Sequence, residues 1–223
     1  MAMKVSREGL IEIASHEGIV TSPYRDSVGV WTVGVGHTAN AGSPNPAIDR
    51  REFSIPEIMD IFARDIAKFE KRANRAFKIK LKQHEFDAAV SFDFNTGGIF
   101  RASWVKDINA GNRTAAAKAF MRWRKPPEII PRRQKECDLF FKGRYASRGL
   151  ATVYPASPGG QVLWRKGRQV DVGALMADAG HVPSDKPPQG EPSGPGPVTT
   201  RQTRGCFGLL THLFTLIRNW RNA

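Results

Sequence analysis

The sequence predicts an α+β fold that is mainly helical. Three observations carry this. Apolar residues recur at helical spacing in six segments before residue 142. One stretch only, residues 21–38, alternates glycine with valine in the manner of short strands and tight turns. A long helical run, residues 55–77, opens on a capping-box pair, Ser54 and Glu57.

The elements follow in order. Ser6 is an N-cap residue, and Leu10, Ile13, Ala14 and Glu17 fall on one helical face. Gly18 is a natural stop. Glu17 thus ends an apolar stripe, whereas Glu8 and Glu12 are assigned to the polar face. Residues 21–38 read as a β-hairpin and 40–48 as a loop. In the long helix the buried stripe is Ile58, Ile61, Phe62, Ile66, Phe69 and Ala73. Further helices are expected at 83–95, 103–109, 114–124 and 132–141. Residues 143–180 read as largely irregular chain around Pro155, Pro158, Gly159 and Gly160, with a last short helix at 170–179.

The chain of 223 residues is long enough for one domain with a core plus an appendage. Residues 1–180 are expected to form the folded domain. Residues 181–204 carry the Pro, Gly and Ser content of a linker. Residues 205–223 form a short apolar and basic tail. Phe207, Leu210, Leu213, Phe214 and Ile217 share one helical face there, closed by Arg218, Trp220 and Arg221. The tail is too short to span a bilayer and has the pattern of an interfacial helix on an anionic membrane.

The net charge is +13. Residues 181–223 hold five basic and two acidic side chains, a net +3, which leaves +10 on residues 1–180. Such a field draws the folded part to polyanions without choosing among them. No zinc-finger spacing or basic–aromatic RNA-binding pattern is present, which argues against a specific nucleic-acid partner. The two cysteines, Cys137 and Cys206, form no disulfide framework and no metal-ligand spacing, so both are read as free thiols. The N-terminus runs straight into the first helix without a signal-peptide pattern.

Two carboxyls stand out. Hydrolysis of a glycosidic bond needs a proton donor on one side and a carboxylate on the other. Glu17 on an apolar stripe suits the first role, because desolvation favours its protonated form. Asp26, beside Arg25 and Ser27, suits the second. Periodicity alone favours the plainer reading, a helix end at Glu17 and a turn at Asp26.

The surrounding residues decide. Glu17-Gly18, Tyr24, Asp26, Gly29, Thr32, Gly34, Gly36 and His37 read as E-G…Y-x-D-x-x-G-x-x-T-x-G-x-G-H. Downstream come Phe94-Asn95-x-Gly97 with Phe100 and Ser103, then Arg132-Arg133-x-x-Glu136 with Leu139, Phe140 and Gly143. Together these resemble the phage T4-type lysozyme family, glycoside hydrolase family 24, over residues 6–146. The resemblance implies a lysozyme-like two-lobed fold with a hairpin lobe, a long connecting helix and a helical lobe. It implies Glu17, Asp26 and Thr32 as the catalytic set, and sugar contacts from Thr38, Phe94, Asn95 and Ser103. Phe94 serves equally as plain core. The resemblance also implies a His37–Asp65 ion pair, an inverting reaction on bacterial peptidoglycan, and no metal or cofactor. Arg132, Arg133 and Glu136 read as a structural ion pair with a basic rim. The expected protein is a monomer made in the host cytoplasm and released to the wall through a holin. A non-hydrolytic peptidoglycan-binding protein and a basic nucleic-acid-binding protein are the rival readings.

Overall fold

The computed structural model describes residues 2–178. The linker and the tail read from the sequence (181–204 and 205–223) lie outside them. The described chain divides into two compact units. One comprises residues 2–16 and 66–148, the other residues 17–65 and 149–178.

The first unit is helical. It takes α1 (Arg7–Glu17) up to His16, the second half of α2 (Ile55–Ala76), α3 (Gln83–Thr96), α4 (Ser103–Asn109), α5 (Arg113–Phe120) and α6 (Ile130–Lys142). Ser6 caps α1 as expected, its Oγ accepting the Gly9 N–H at 3.0 Å. The core is aromatic. Trp104 is fully buried, with the rings of Phe77, Phe92, Phe120 and Phe140 centred 4.7–5.6 Å from it. Such edge-on and tilted pairs add to the burial of apolar area, the main stabilising effect here.

α1 departs from the sequence reading. Glu12, assigned to the polar face, is 1% exposed. Its carboxylate accepts the Ser147 N–H at 2.8 Å, because the chain after α6 crosses that face. His16, also buried, lies 3.7 Å from Glu12. Burial, followed by the charges of Arg132, Lys135 and Arg133, holds the His16 ring well below the ordinary histidine value.

The second unit is built on a five-stranded sheet in the order β3-β2-β1-β4-β5. β1 (Ile19–Arg25), β2 (Trp31–Gly34) and β3 (His37–Thr38) form the antiparallel ribbon expected from the glycine pattern. β4 (Leu150–Tyr154) and β5 (Arg168–Asp171) correct the reading of residues 143–180 as mostly irregular. β4 lies parallel to β1, with Ile19 opposite Val153 and Val20 opposite Tyr154. β5 pairs antiparallel with β4, and α7 (Val172–Asp178) follows it. Ala151, Val153 and Val170 are buried, as are Ile19, Val20 and Val33.

Two glycines set the backbone around this sheet. Gly18 has φ +80°, and a Cβ on it would stand 2.9 Å from the Tyr154 ring, so the turn from α1 into β1 requires glycine. Gly34 has φ +65°, and a Cβ there would meet Ile58 of α2 at 2.8 Å, so its absence lets the hairpin lie close on the helix. α2 starts as the capping box predicts, with Ser54 N–H and Oγ both 2.8 Å from Glu57 Oε2.

Candidate active site

Glu17 is the last residue of α1 and is 4% exposed. Gly18 turns the chain at once into β1. β1 ends at Arg25, and the loop to β2 begins with Asp26. Asp26 is half-buried. Its Oδ1 accepts the N–H groups of Val28 and Val30 at 3.0 and 2.9 Å. Its own N–H donates to the Val30 carbonyl, and its carbonyl accepts the Gly29 N–H. Four hydrogen bonds therefore fix Asp26 within a five-residue loop, two of them to its carboxylate.

Thr32 lies on β2, 3% exposed, with its hydroxyl donating to the Val30 carbonyl at 3.1 Å. It is opposite Tyr24 on β1 and Thr38 on β3, so the three side chains share one face of the sheet. Glu17, Asp26, Thr32 and Thr38 are thus carried by one unit, three of them on or beside adjacent strands.

His37 and Asp65 meet as expected. His37 Nδ1 is 2.9 Å from Asp65 Oδ2, and Nε2 is 2.8 Å from the Pro44 carbonyl. Burial, the largest single effect, opposes charging of the ring. The Asp65 hydrogen bond and charge, with the Pro44 carbonyl, together outweigh it and raise the His37 pKa.

The other three expected sugar contacts belong to the helical unit. Phe94 is 4% exposed and packs edge-on against Phe69 at 5.1 Å, which favours the core reading. Asn95 is half-buried, and its side-chain carbonyl accepts from Arg133 Nη2 at 2.6 Å. Ser103 is exposed at the start of α4. The Arg132–Arg133–Glu136 group is an ion cluster, but not a rim, since all three side chains are at most 5% exposed. Glu136 accepts from Arg132 at 2.9 Å, from Ser91 at 2.6 Å and from Arg133. Helical spacing revealed the pairing but not the depth. Among the described residues no group of three or more His, Cys, Asp and Glu is placed to hold a metal ion.

A helix ending in a buried glutamate, a hairpin presenting an aspartate, and a threonine beside it form an ordered set, and residues 14–136 match the family model described as phage lysozyme. The chain belongs to the phage lysozyme family. The endolysin of Salmonella phage P22 is 31% identical over 145 residues, covering 62% of this chain and 99% of that protein. The endolysin of Bacillus phage PZA is 32% identical over 161 residues, covering 67% of this chain and 60% of that protein. Among solved structures, a mutant P22 lysozyme superposes with a TM-score of 0.58 at 28% identity, covering 63% of this chain and 99% of its own. The endolysin of Escherichia coli O157:H7 phage FAHEc1 gives 0.58 at 29% identity, covering 65% and 98%. This family member is a lysozyme-type glycoside hydrolase that acts on bacterial peptidoglycan. Its strands β4 and β5 and its helix α7 lie beyond the family match.

Proposed function

We propose that this endolysin cuts the β-1,4 bond between N-acetylmuramic acid and N-acetylglucosamine with Glu17, Asp26 and Thr32. Glu17 delivers a proton to the glycosidic oxygen. Asp26 takes a proton from the attacking water on the opposite face of the ring, and the Thr32 hydroxyl orients that water. The observation that carries the reading is the contrast between the two carboxyls. One is buried at the end of α1, and the other is half-buried and clamped by the Val28 and Val30 N–H groups. Acid and base roles need two such unlike environments. Thr38 and Ser103 supply sugar contacts, with the Asn95 amide N–H and the Phe94 ring edge as further contributors.

The test is a zymogram on bacterial walls with the parent protein, Glu17→Gln and Asp26→Asn. Clearing by the parent and none by Glu17→Gln is the expected result, and equal clearing by the two removes Glu17 from the mechanism. A bound but unhydrolysed wall would identify the non-hydrolytic binding protein instead.

The rest of the reading concerns the whole chain. Residues 1–180 are the catalytic domain, 181–204 a linker, and 205–223 a tail that contacts anionic membrane. The protein works as a monomer and reaches the wall through a holin. Liposome binding before and after deletion of residues 205–223 tests the tail. Lysis of cells with and without a co-expressed holin tests the route.

A further inference from the structure

Two exposed arginines stack on one indole at the tip of the hairpin. The guanidinium carbon of Arg50 is 3.1 Å from the centre of a Trp31 ring, and that of Arg25 is 4.4 Å from it. Arg25 and Trp31 are cross-strand partners. They precede Asp26 and Thr32 in the chain, so the stack borders the candidate catalytic loop while lying on the sheet face opposite Thr32. Stacking occupies the face of a guanidinium and leaves its edge donors free. Arg25 gives one N–H to the Gly29 carbonyl and Arg50 one to the Ala47 carbonyl. Each cation has five donors. Among the described residues, no carboxylate pairs with either.

The ring beneath them is held from behind by the part of the chain outside the family match. Gly160 accepts the Arg25 N–H at 2.7 Å, and a Cβ on Gly160 would stand 2.7 Å from the Trp31 ring. The turn leading to β5 is therefore fitted to this indole. Two like charges held against one ring, with no acid paired to either among the described residues, can receive an external oxyanion.

We propose that Arg25 and Arg50, stacked on Trp31, are a subsite for a carboxylate of the peptide stem of murein. This deepens the muramidase reading and rests on it. Stems repeat along the glycan, so a cationic plate beside Asp26 would select strands that carry free stem carboxylates over bare or amidated ones.

The test uses the full chain carrying Glu17→Gln, so that binding is read without turnover. Two probes are compared, intact sacculi and sacculi whose stem carboxylates are capped as amides, each with its phosphate polymers kept and after their removal with hydrofluoric acid. Binding to intact sacculi is expected to be about tenfold tighter, the effect of roughly one charge-assisted contact. Adding Arg50→Gln is expected to bring that ratio close to one. Lys80→Gln removes the same charge from an exposed site in the helical unit, and is expected to leave most of the ratio. An equal fall in both variants assigns the preference to net charge and overturns the subsite. So does an unchanged ratio in Arg50→Gln. A preference found only on sacculi that keep their phosphate polymers moves the ligand to phosphate and also overturns it. Turnover by the parent on intact sacculi is read in parallel. Its absence sinks the muramidase reading while the binding ratio still decides the subsite.

Discussion

His37 Nδ1 and Asp65 Oδ2 stand 2.9 Å apart, joining the last strand of the ribbon to α2. His37 is 2% exposed and Asp65 16%, so the pair is shielded on one side only. The second ring nitrogen is fixed by the Pro44 carbonyl, so the ring donates from both sides when protonated.

The sign of the resulting pH dependence follows from the raised His37 pKa. The stabilisation is full below the unfolded histidine value near 6.5 and is lost as pH rises through the higher folded value. Asp65→Asn is expected to lower the His37 titration seen by NMR and to cost about 2 kcal/mol at pH 5.5, with less cost at pH 9. An unchanged titration would show that the contact carries no energy.

His16 is expected to act in the opposite sense. Its folded pKa is held far below the ordinary value, so the native state resists protonation. Stability is therefore lost as pH falls below about 6.5 toward that lower value. Urea melts of His16→Gln should show a shallower decline between pH 6.5 and pH 4.5 than the parent. Parallel declines would mean that other groups dominate acid unfolding.

Glu136 offers a sharp contrast between buried and exposed pairs. Glu136→Gln leaves Arg132 and Arg133 deep in the helical unit with reduced compensation, at a cost of about 3–5 kcal/mol and a fall in Tm of about 10 °C. Asp138 and Lys142 pair at 2.7 Å one turn further along α6, with Lys142 half exposed. Asp138→Asn should cost under about 1 kcal/mol. Equal Tm shifts for the two variants would contradict the depth of the cluster.

The pairing of β4 with β1 can be tested at Val153, which is buried opposite Ile19. Val153→Asp places an uncompensated carboxylate in the sheet, and insoluble or unfolded protein is expected. Val153→Ile adds one methylene and should shift Tm by only a few degrees. Soluble, active Val153→Asp would show that the added strands are dispensable.

Much of this was legible in the sequence because local signals were strong. Gly97-Gly98 and Gly111 bracket α4, and its predicted bounds, 103–109, match the observed helix. The motif from Glu17 to His37 lies within one short stretch, so its resemblance to the phage lysozyme pattern could be read there, where periodicity alone pointed to a plain helix end and turn. What was missed depends on distant partners. Glu12 looked solvent-facing because nothing nearby announces that Ser147 crosses it. Residues 150–154 looked irregular because their partner strand is β1, and Pro155 and Pro158 masked the short apolar run. The depth of Arg132 and Arg133 was hidden for the same reason: periodicity tells which side a residue is on, not what covers it. The Arg25–Trp31–Arg50 stack needs residue 160 to seat it, a relationship no window of sequence contains.

The parallel register of Ile19 with Val153 also sets a timetable. A chain made from its N-terminus completes Glu17, the ribbon and α2 early, yet the strand that flanks the start of β1 is among the last described segments to be synthesised. Until then one edge of β1 has bare peptide groups, and Ile19 and Val20 lack their neighbours on that side. The sheet around the candidate catalytic residues is therefore completed only after α2 to α6 have been made. A copy terminated before β4 would carry Glu17, Asp26 and Thr32 and still lack the strand beside the start of β1.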